Sequence, residues 1–392
     1  MRAAVRTENA LAWLATGPDR ESVLLPGTRR ACPPAATVAM AERAAAAVGV
    51  TRVADITRLD TIGIPTYQAI RPLSTTLAVS QGKGVTAELA RVSAILEAVE
   101  IWHVEQPLPP WLTAPPREVA DRLGYDVTAL PLSSPSLLHD GLPIGWTGAV
   151  SLADGAETLV PVEVVRLSLE QRTGWRPPAF LASTNGLASG NTRVEAVLHG
   201  LYEVIERDAT TATITGAASG VRVDPGTLGS PVADDLCERI TRAGVVVEVT
   251  LLSSPTGLPC FLAWLACDDY PAAMYGFGCH LDPEIALTRA LTEAAQTRLS
   301  YIAGARDDLR DDIDGGGTAR RREAAGPAAD LSGLLPPPIG HTSLLDDLAE
   351  VVRRATDAFG HPPLVADLTR SPIGVPVVKV VAPGSRITPE VL

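Results

Sequence analysis

Three runs along this chain repeat one phrase: glycine, an apolar residue, proline, then a stretch rich in β-branched and apolar residues. They are Ile62-Gly-Ile-Pro65 running to Ile70, Gly257-Leu-Pro259 running to Leu265, and Gly374-Val-Pro376 running to Val381. Proline at the first position of a strand costs no ladder hydrogen bond, so each run predicts a strand that starts at its proline. Three longer segments carry the helical spacing instead, with polar groups three apart among apolar neighbours: Glu88 to Glu105, Arg193 to Ala209 and Pro283 to Tyr301. An Ala-rich stretch from Thr37 to Val48 predicts a shorter helix, and patterning before residue 34 is weak. Strands followed by long helices, repeated, predict one α/β unit with diverged internal repeats, not a string of independent domains.

Two of the long helices carry acids where an apolar face has no use for them. Glu97 and Glu100 stand three apart on one, Glu203 and Glu206 three apart on the other, and Glu293 and Gln296 take the corresponding places on the third. Leu198, Leu201, Val204 and Ile205 surround the second pair, which predicts a covered helix. Buried carboxylates without a cation are costly to desolvate, and hard oxygen ligands suit Mg²⁺. Mg²⁺ held by a few carboxylates commonly also holds nucleotide phosphates.

The composition narrows the classes. At 392 residues and 46% hydrophobic content the chain can bury a large core. A formal net charge of −12 argues against general affinity for nucleic acid, and the basic run Arg320-Arg321-Arg322 sits in a loop-like stretch. No apolar run reaches membrane-spanning length and the first residues lack a signal-peptide pattern, so a cytoplasmic protein is expected, with no membrane partner. Five scattered cysteines, without a C-x-x-C pair, suggest reduced thiols. Cys32 and Cys279, with no flanking base, read as buried thiols before sulfur carriers. Pro107 to Gly145 reads as an irregular surface connection, and Asp307 to His341 as a flexible insertion.

Two segments lead into the acidic helices. Ser80-Gln-Gly-Lys83-Gly84 follows the strand-like Thr75 to Val79, and small residues with one lysine suit a phosphate contact as well as a plain turn. It lacks the spacing of G-x-x-x-x-G-K-[ST], which disfavours a P-loop. Ahead of the second helix, Asn191 or Thr192 is placed to cap and Glu195 to complete a capping box; ligand binding is the competing reading for Asn191 and Glu195. His103 and His199, one on each acidic helix, read first as packing or hydrogen-bonding residues, with substrate contact as the alternative.

Taken together, Ser80-x-Gly-Lys-Gly with Ser93-Ala-x-x-Glu-x-x-Glu100, and Asn185-Gly-Leu-Ala-x-Gly-Asn191 with His199-Gly-Leu-x-Glu-Val-Ile-Glu-Arg207-Asp208, closely resemble the YcaO superfamily. The resemblance runs from Thr51 to Leu309 and resumes at the terminal strand. It implies a YcaO-like α/β fold with the ATP site between the acidic helices, residues 1–60 forming an N-terminal helical lead-in and residues 61–392 the catalytic domain, with the insertion at 307–341. It also implies ATP and Mg²⁺ as cofactors, with Glu97, Glu100, Glu203 and Glu206 as metal ligands and Ser80, Lys83, Asn191, Glu195 and Arg207 as nucleotide contacts. Arg289 is the first choice for a further phosphate-contacting arginine, with Arg298 second. No single residue stands out as the catalytic group.

The implied activity is Mg-ATP-dependent phosphorylation of a backbone amide oxygen in a ribosomally made precursor peptide. A nucleophile then adds and phosphate departs. Sulfide gives a thioamide, a Cys, Ser or Thr side chain an azoline, and an amine an amidine ring. The best-known azoline-forming members end in a Pro-rich tail, whereas only Pro389 lies near the end of this chain. Ile62-Gly-Ile-Pro65, Trp102-His103 and Ile373-Gly-Val-Pro376 with Val380-Val-Ala-Pro-Gly384 resemble members working with a TfuA-like partner, which favours the thioamide, and stand-alone members that form azolines or amidines. The resemblance also admits a homodimer. From another class, a non-catalytic ATP-binding partner or scaffold competes, and so does a carboxylate-metal hydrolase, which leaves Ser80 to Gly84 and Asn191 unexplained.

Overall fold

The computed structural model describes residues 14, 22–167, 178–305, 327–335 and 341–391. In chain order the strands are β1 (Val23–Leu25), β2 (Thr28–Arg30), β3 (Arg52–Asp55), β4 (Thr66–Ile70), β5 (Val79–Lys83), β6 (Leu112–Ala114), β7 (Ile144–Ser151), β8 (Glu157–Pro161), β9 (Leu187–Ser189), β10 (Gly220–Asp224), β11 (Val246–Leu252), β12 (Cys260–Cys267), β13 (Tyr270–Cys279), β14 (Ala329–Asp330), β15 (Leu364–Asp367) and β16 (Val377–Val381). The helices are α1 (Pro34–Val48), α2 (Ala87–Glu105), α3 (Pro116–Val119), α4 (Val162–Val165), α5 (Arg193–Ile214), α6 (Pro231–Arg242), α7 (Pro283–Ala303) and α8 (Leu344–Phe359). They divide into two compact units. The first takes in Met1–Ser22, Val99–Thr211 and His341–Leu392, the second Val23–Ala98 and Ala212–Gly340.

The first unit is built on a six-stranded sheet in the order β6-β7-β15-β16-β9, with β8 also paired to β7. β16 is a central strand, antiparallel to both β15 and β9, and all five of its residues are buried. A run of valines suits such a place, since β-branched residues pack well on a pleated surface covered on both faces. Its middle residue is the buried Lys379, which no hydrophobic rule explains. Trp146, Leu159, Phe180 and Leu364 belong to the apolar core of this unit. α8 buries Leu344, Leu348, Val351, Val352, Ala355 and Phe359, the spacing of one helical face. Ser343 caps its start by accepting the Leu345 N–H, and Gly360 ends it in the left-handed conformation.

The second unit holds the β1-β2 hairpin, the three-stranded sheet β3-β4-β5, and the five-stranded sheet β13-β12-β11-β10-β14. α7 is its central helix: Ala286, Leu287, Ala290, Leu291 and Ala294 pack with Phe261, Ala263, Leu265 and Met274 of β12 and β13 and with Leu236 and Ile240 of α6. Small residues let this helix lie against its own strand. A Cβ on Gly278 would stand 2.1 Å from the Ala286 carbonyl oxygen, and one on Gly276 2.1 Å from the Ala294 nitrogen. β5 and α2 repeat the device, where a Cβ on Gly82 would stand 2.0 Å from the Ala94 nitrogen and 2.2 Å from the Ala90 carbonyl oxygen. The same strand glycine against helix alanines thus recurs in β5 on α2 and β13 on α7.

The three long helices stand where the spacing puts them, α5 and α7 running slightly further at their C-terminal ends. One local expectation changes. Ser80 to Lys83 form β5 itself, in register with β4, and not a loop. Most of the insertion at 307–341 lies outside the described residues, as does most of the chain before residue 22. No helix among the described residues is long and apolar enough to cross a membrane.

Candidate nucleotide and metal site

In the first unit the β9–α5 connection organises the acids. One carboxylate oxygen of Glu100, in the last turns of α2, accepts both the N–H of Ser189 at 2.8 Å and its Oγ–H at 2.6 Å. Hydrogen bonds of this kind fix the rotamer of the carboxylate. Three residues on, Thr192 caps α5 by accepting the Glu195 N–H at 3.1 Å. The Glu195 carboxylate, 5% exposed, reaches back to the Asn191 N–H at 3.1 Å and its Nδ2 at 2.9 Å. This is a capping arrangement, so Asn191 and Glu195 are held rigidly at the mouth of α5 whatever else they bind.

About three turns along α5 come Glu203, half-buried, and Glu206, 4% exposed. A cation beside Glu203 was not foreseen. Lys379 is fully buried, its Nζ donates to the Ser183 carbonyl oxygen at 2.5 Å, and burial pushes its ammonium down to about 8 against the pull of the Glu203 carboxylate. The signal for it was in the sequence, a lysine in the middle of Val377-Val-Lys-Val-Val381. Arg207 turns Nη1 to the carbonyl oxygen of Val391 at 3.3 Å, which brings the segment around Val391 to a predicted nucleotide contact. Asp208, 1% exposed, binds Arg386 through its main-chain N–H, Nε and Nη2 at 2.7, 3.0 and 2.9 Å.

In the second unit Lys83, at the end of β5, forms an ion pair with Glu293 of α7, the residue that takes the place of the other helices' acids. Glu293 also accepts the Phe277 N–H at 3.3 Å. Ser80 is buried in β5, and neighbouring Gln81 accepts the Ser300 hydroxyl of α7. Glu97 belongs to this unit and is half-buried on α2. Arg298 is committed elsewhere, with Nε 2.8 Å from Asp60 and Nη1 3.1 Å from the Cys267 sulfur. Arg289 keeps different company: burial, then the charges of Arg289, Arg29 and Arg30, hold His280 well below the usual imidazole range. Arg29 and Arg30 of the hairpin thus join Arg289 as a cationic cluster acting on one neutral histidine. Reading from sequence missed the two hairpin arginines because they lie before residue 34, where patterning is weak.

Among the described residues no three His, Cys, Asp or Glu side chains form a ready metal cage. That is compatible with Mg²⁺, which is usually held by one or two carboxylates together with waters and substrate phosphates, unlike a structural ion in an all-protein site. The donor set fits: carboxylates of hard oxygen, one pair on each acidic helix, with Glu206 buried beyond easy hydration.

Comparison with known proteins gives one consistent result. The model of the YcaO family, described as an ATP- and Mg²⁺-binding cyclodehydratase, matches residues 81–386. An uncharacterised protein of Mycobacterium tuberculosis is 39% identical over 91% of this chain and 82% of its own length. A protein of Rhizobium leguminosarum bv. trifolii, from the 3′ region of tfuA, is 40% identical over 71% of this chain and 69% of its own length. Among solved structures, a heterocyclase in complex with substrate and cofactor matches with a TM-score of 0.75 and 25% identity, covering 94% of this chain and 55% of that one. The YcaO protein of Methanopyrus kandleri bound with AMPPCP and Mg²⁺ matches with a TM-score of 0.73 and 24% identity over 93% and 94% of the two chains.

Proposed function

Because the chain belongs to the YcaO family, we propose that it uses ATP and Mg²⁺ to activate a backbone amide of a ribosomally synthesised peptide, and that the product is a thioamide. An amide oxygen is a poor leaving group. Transfer of the ATP γ-phosphoryl to that oxygen makes it one; sulfide then adds at the amide carbon, the carbon–oxygen bond breaks, and phosphate leaves with the oxygen. Mg²⁺ bound between carboxylates and phosphate oxygens would offset charge on the transferring phosphoryl group. Glu97, Glu100, Glu203 and Glu206 are its proposed ligands. Ser80, Lys83, Asn191, Glu195, Arg207 and Arg289 are the proposed nucleotide contacts, with Arg29 and Arg30 added from the cationic cluster.

The observation that carries this reading is the placement of acids on α5 within a family described as binding ATP and Mg²⁺: Glu206 buried, Glu203 beside a buried lysine. These carboxylates supply the hard oxygen ligands that suit Mg²⁺. The thioamide is supported by the relative from the tfuA region, which also supports a TfuA-like partner protein. Azoline formation is the second reading, favoured by the hydrogen bond from Arg207 to Val391, since a tail at the nucleotide site is what azoline-forming relatives use.

The test is incubation of the protein with its precursor peptide, ATP and Mg²⁺, with and without sulfide and a TfuA-like protein. A mass gain equal to oxygen replaced by sulfur establishes the thioamide. Loss of one water establishes ring closure. Peptide left unmodified while ATP is bound but not consumed establishes the scaffold reading.

A further inference from the structure

The middle of β16 is a charge among four valines, buried on the strand with them. Lys379 stands opposite Leu187 of β9 in the register and sends Nζ to the Ser183 carbonyl oxygen at 2.5 Å, which ties its ammonium to the segment that leads into β9. Helix α5 lies over the same two strands. A Cβ on Gly200 would stand 2.7 Å from the Gly186 carbonyl oxygen and 3.0 Å from Val380 Cγ2, and one on Gly186 would stand 2.9 Å from Val204 Cγ2. Glu203 falls between Gly200 and Val204, on the turn of α5 that rests on this pair of strands. Lys379 and Glu203 therefore belong to one piece of structure, all of it inside the first unit.

Burial lowers the Lys379 ammonium to about 8 and the Glu203 carboxylate opposes that fall, so the side chain is mostly charged at neutral pH. A buried ion pair of this kind adds little to stability by itself, because desolvating both charges cancels much of their attraction. Its effect on a metal ligand is more direct. A carboxylate beside an ammonium has its charge already balanced, and a divalent cation approaching it meets a like charge in surroundings that screen poorly. Mg²⁺ gives up its waters reluctantly and is usually held by one or two carboxylates together with substrate phosphates. Glu203 offset by Lys379 is then too weak a ligand to fix the ion alone, and the phosphates have to bring the missing negative charge. The same pair of strands treats Glu100 differently: Ser189, at the end of β9, gives it two hydrogen bonds and no charge.

We propose that Lys379 is a built-in counter-ion of Glu203, which keeps the nucleotide-free protein from holding Mg²⁺ and makes metal and nucleotide bind together. Lys379 acts through Glu203 and is a positioning residue in that sense. The metal assignment of Glu203 rests on the function proposed above; the pairing of Lys379 with Glu203 rests on the fold of the first unit.

The test is Mn²⁺ binding to the full chain, with Mn²⁺ as a paramagnetic stand-in for Mg²⁺ and the free ion measured by its electron spin resonance. It is done without nucleotide and then with AMPPCP, subtracting the share of Mn²⁺ that AMPPCP holds in buffer. Two neutral variants are compared with wild type: Lys379→Met keeps the length of the side chain, and Lys379→Gln keeps a donor for the Ser183 carbonyl. Without nucleotide, wild type is expected to bind Mn²⁺ at least about tenfold more weakly than with AMPPCP, and each neutral variant at least about tenfold more tightly than wild type. Lys379→Arg keeps the charge and should behave as wild type. Adding Glu203→Gln to Lys379→Met should return binding to wild-type weakness. Damage to the strand would lower affinity and would not produce a gain.

Neutral variants no tighter than wild type, an arginine variant as tight as they are, or a double variant that keeps the gain each overturn the counter-ion. Wild type that holds Mn²⁺ as tightly without AMPPCP as with it overturns the counter-ion before any variant is made. If wild type still binds Mn²⁺ with AMPPCP in those cases, the metal reading stands. Wild type that binds no Mn²⁺ even with AMPPCP overturns the proposed metal site, and the counter-ion with it.

Discussion

Ser189 gives both its main-chain N–H and its hydroxyl to one oxygen of Glu100. A metal-binding carboxylate needs an outer partner to hold its orientation, and removing such partners commonly weakens metal affinity. Ser189→Ala keeps the N–H bond and loses the hydroxyl. It should raise the Mg²⁺ concentration needed for half-maximal nucleotide binding about tenfold, with little change in melting temperature. An unchanged Mg²⁺ titration would show that Glu100 is positioned by other groups.

Arg386 holds the buried Asp208 by three hydrogen bonds, one from its main chain and two from its side chain. Removing the guanidinium strands a carboxylate that is 1% exposed, so Arg386→Ala should cost about 2–3 kcal/mol. Adding Asp208→Asn should restore part of that loss, because the charge is removed with its partner. Urea unfolding of the two variants measures this; equal stability of Arg386→Ala and wild type would contradict it.

Gly82→Ala is expected to damage the packing of β5 on α2, since the added Cβ meets helix backbone at 2.0 and 2.2 Å. Backbone cannot swing aside as a side chain can, so the loss should reach about 3 kcal/mol or more. A melting temperature within a degree of wild type would refute the close approach.

Glu350 on α8 is clamped by Arg353 and Arg354, and the hydrogen bond from Arg353, opposed by partial burial and aided by Arg354, brings its carboxyl down to about 2 from 4.5. The folded state therefore binds its proton less readily than the unfolded state. The stabilisation is complete above pH 4.5 and is lost as the pH falls toward about 2. Glu350→Gln should lower stability by about 1 kcal/mol at neutral pH, and the two melting curves should converge as the pH falls through that window. A difference that persists undiminished below the window would mean that the clamp works by packing and not by charge.

The long helices α2, α5 and α7 were legible because each carries an uninterrupted polar spacing over many turns, and the acids on α2 and α5 broke an otherwise apolar pattern. The strand prolines Pro65, Pro259 and Pro376 marked true strand starts within a residue or so. In β5, Gly82 and Gly84 resemble turn residues locally; what they serve is the approach of α2, a long-range requirement that local pattern does not carry. α6, α8 and the sheet order went unread, since pairing of β16 between β15 and β9 joins segments far apart in sequence. Lys379 was visible as a charge inside a valine run and went unremarked; Arg29 and Arg30 had no local signal at all.

The central claim is that carboxylates on the two acidic helices hold Mg²⁺ against nucleotide phosphates. The direct measurement is equilibrium binding of AMPPCP, with and without Mg²⁺, to the wild type and to Glu97→Gln and Glu203→Gln, each keeping side-chain shape while withdrawing an anionic ligand. Wild-type protein should bind AMPPCP only when Mg²⁺ is present, and each variant should lose more than about tenfold in affinity at an unchanged melting temperature. Wild-type affinity in both variants, or wild-type binding that is indifferent to Mg²⁺, would contradict the account.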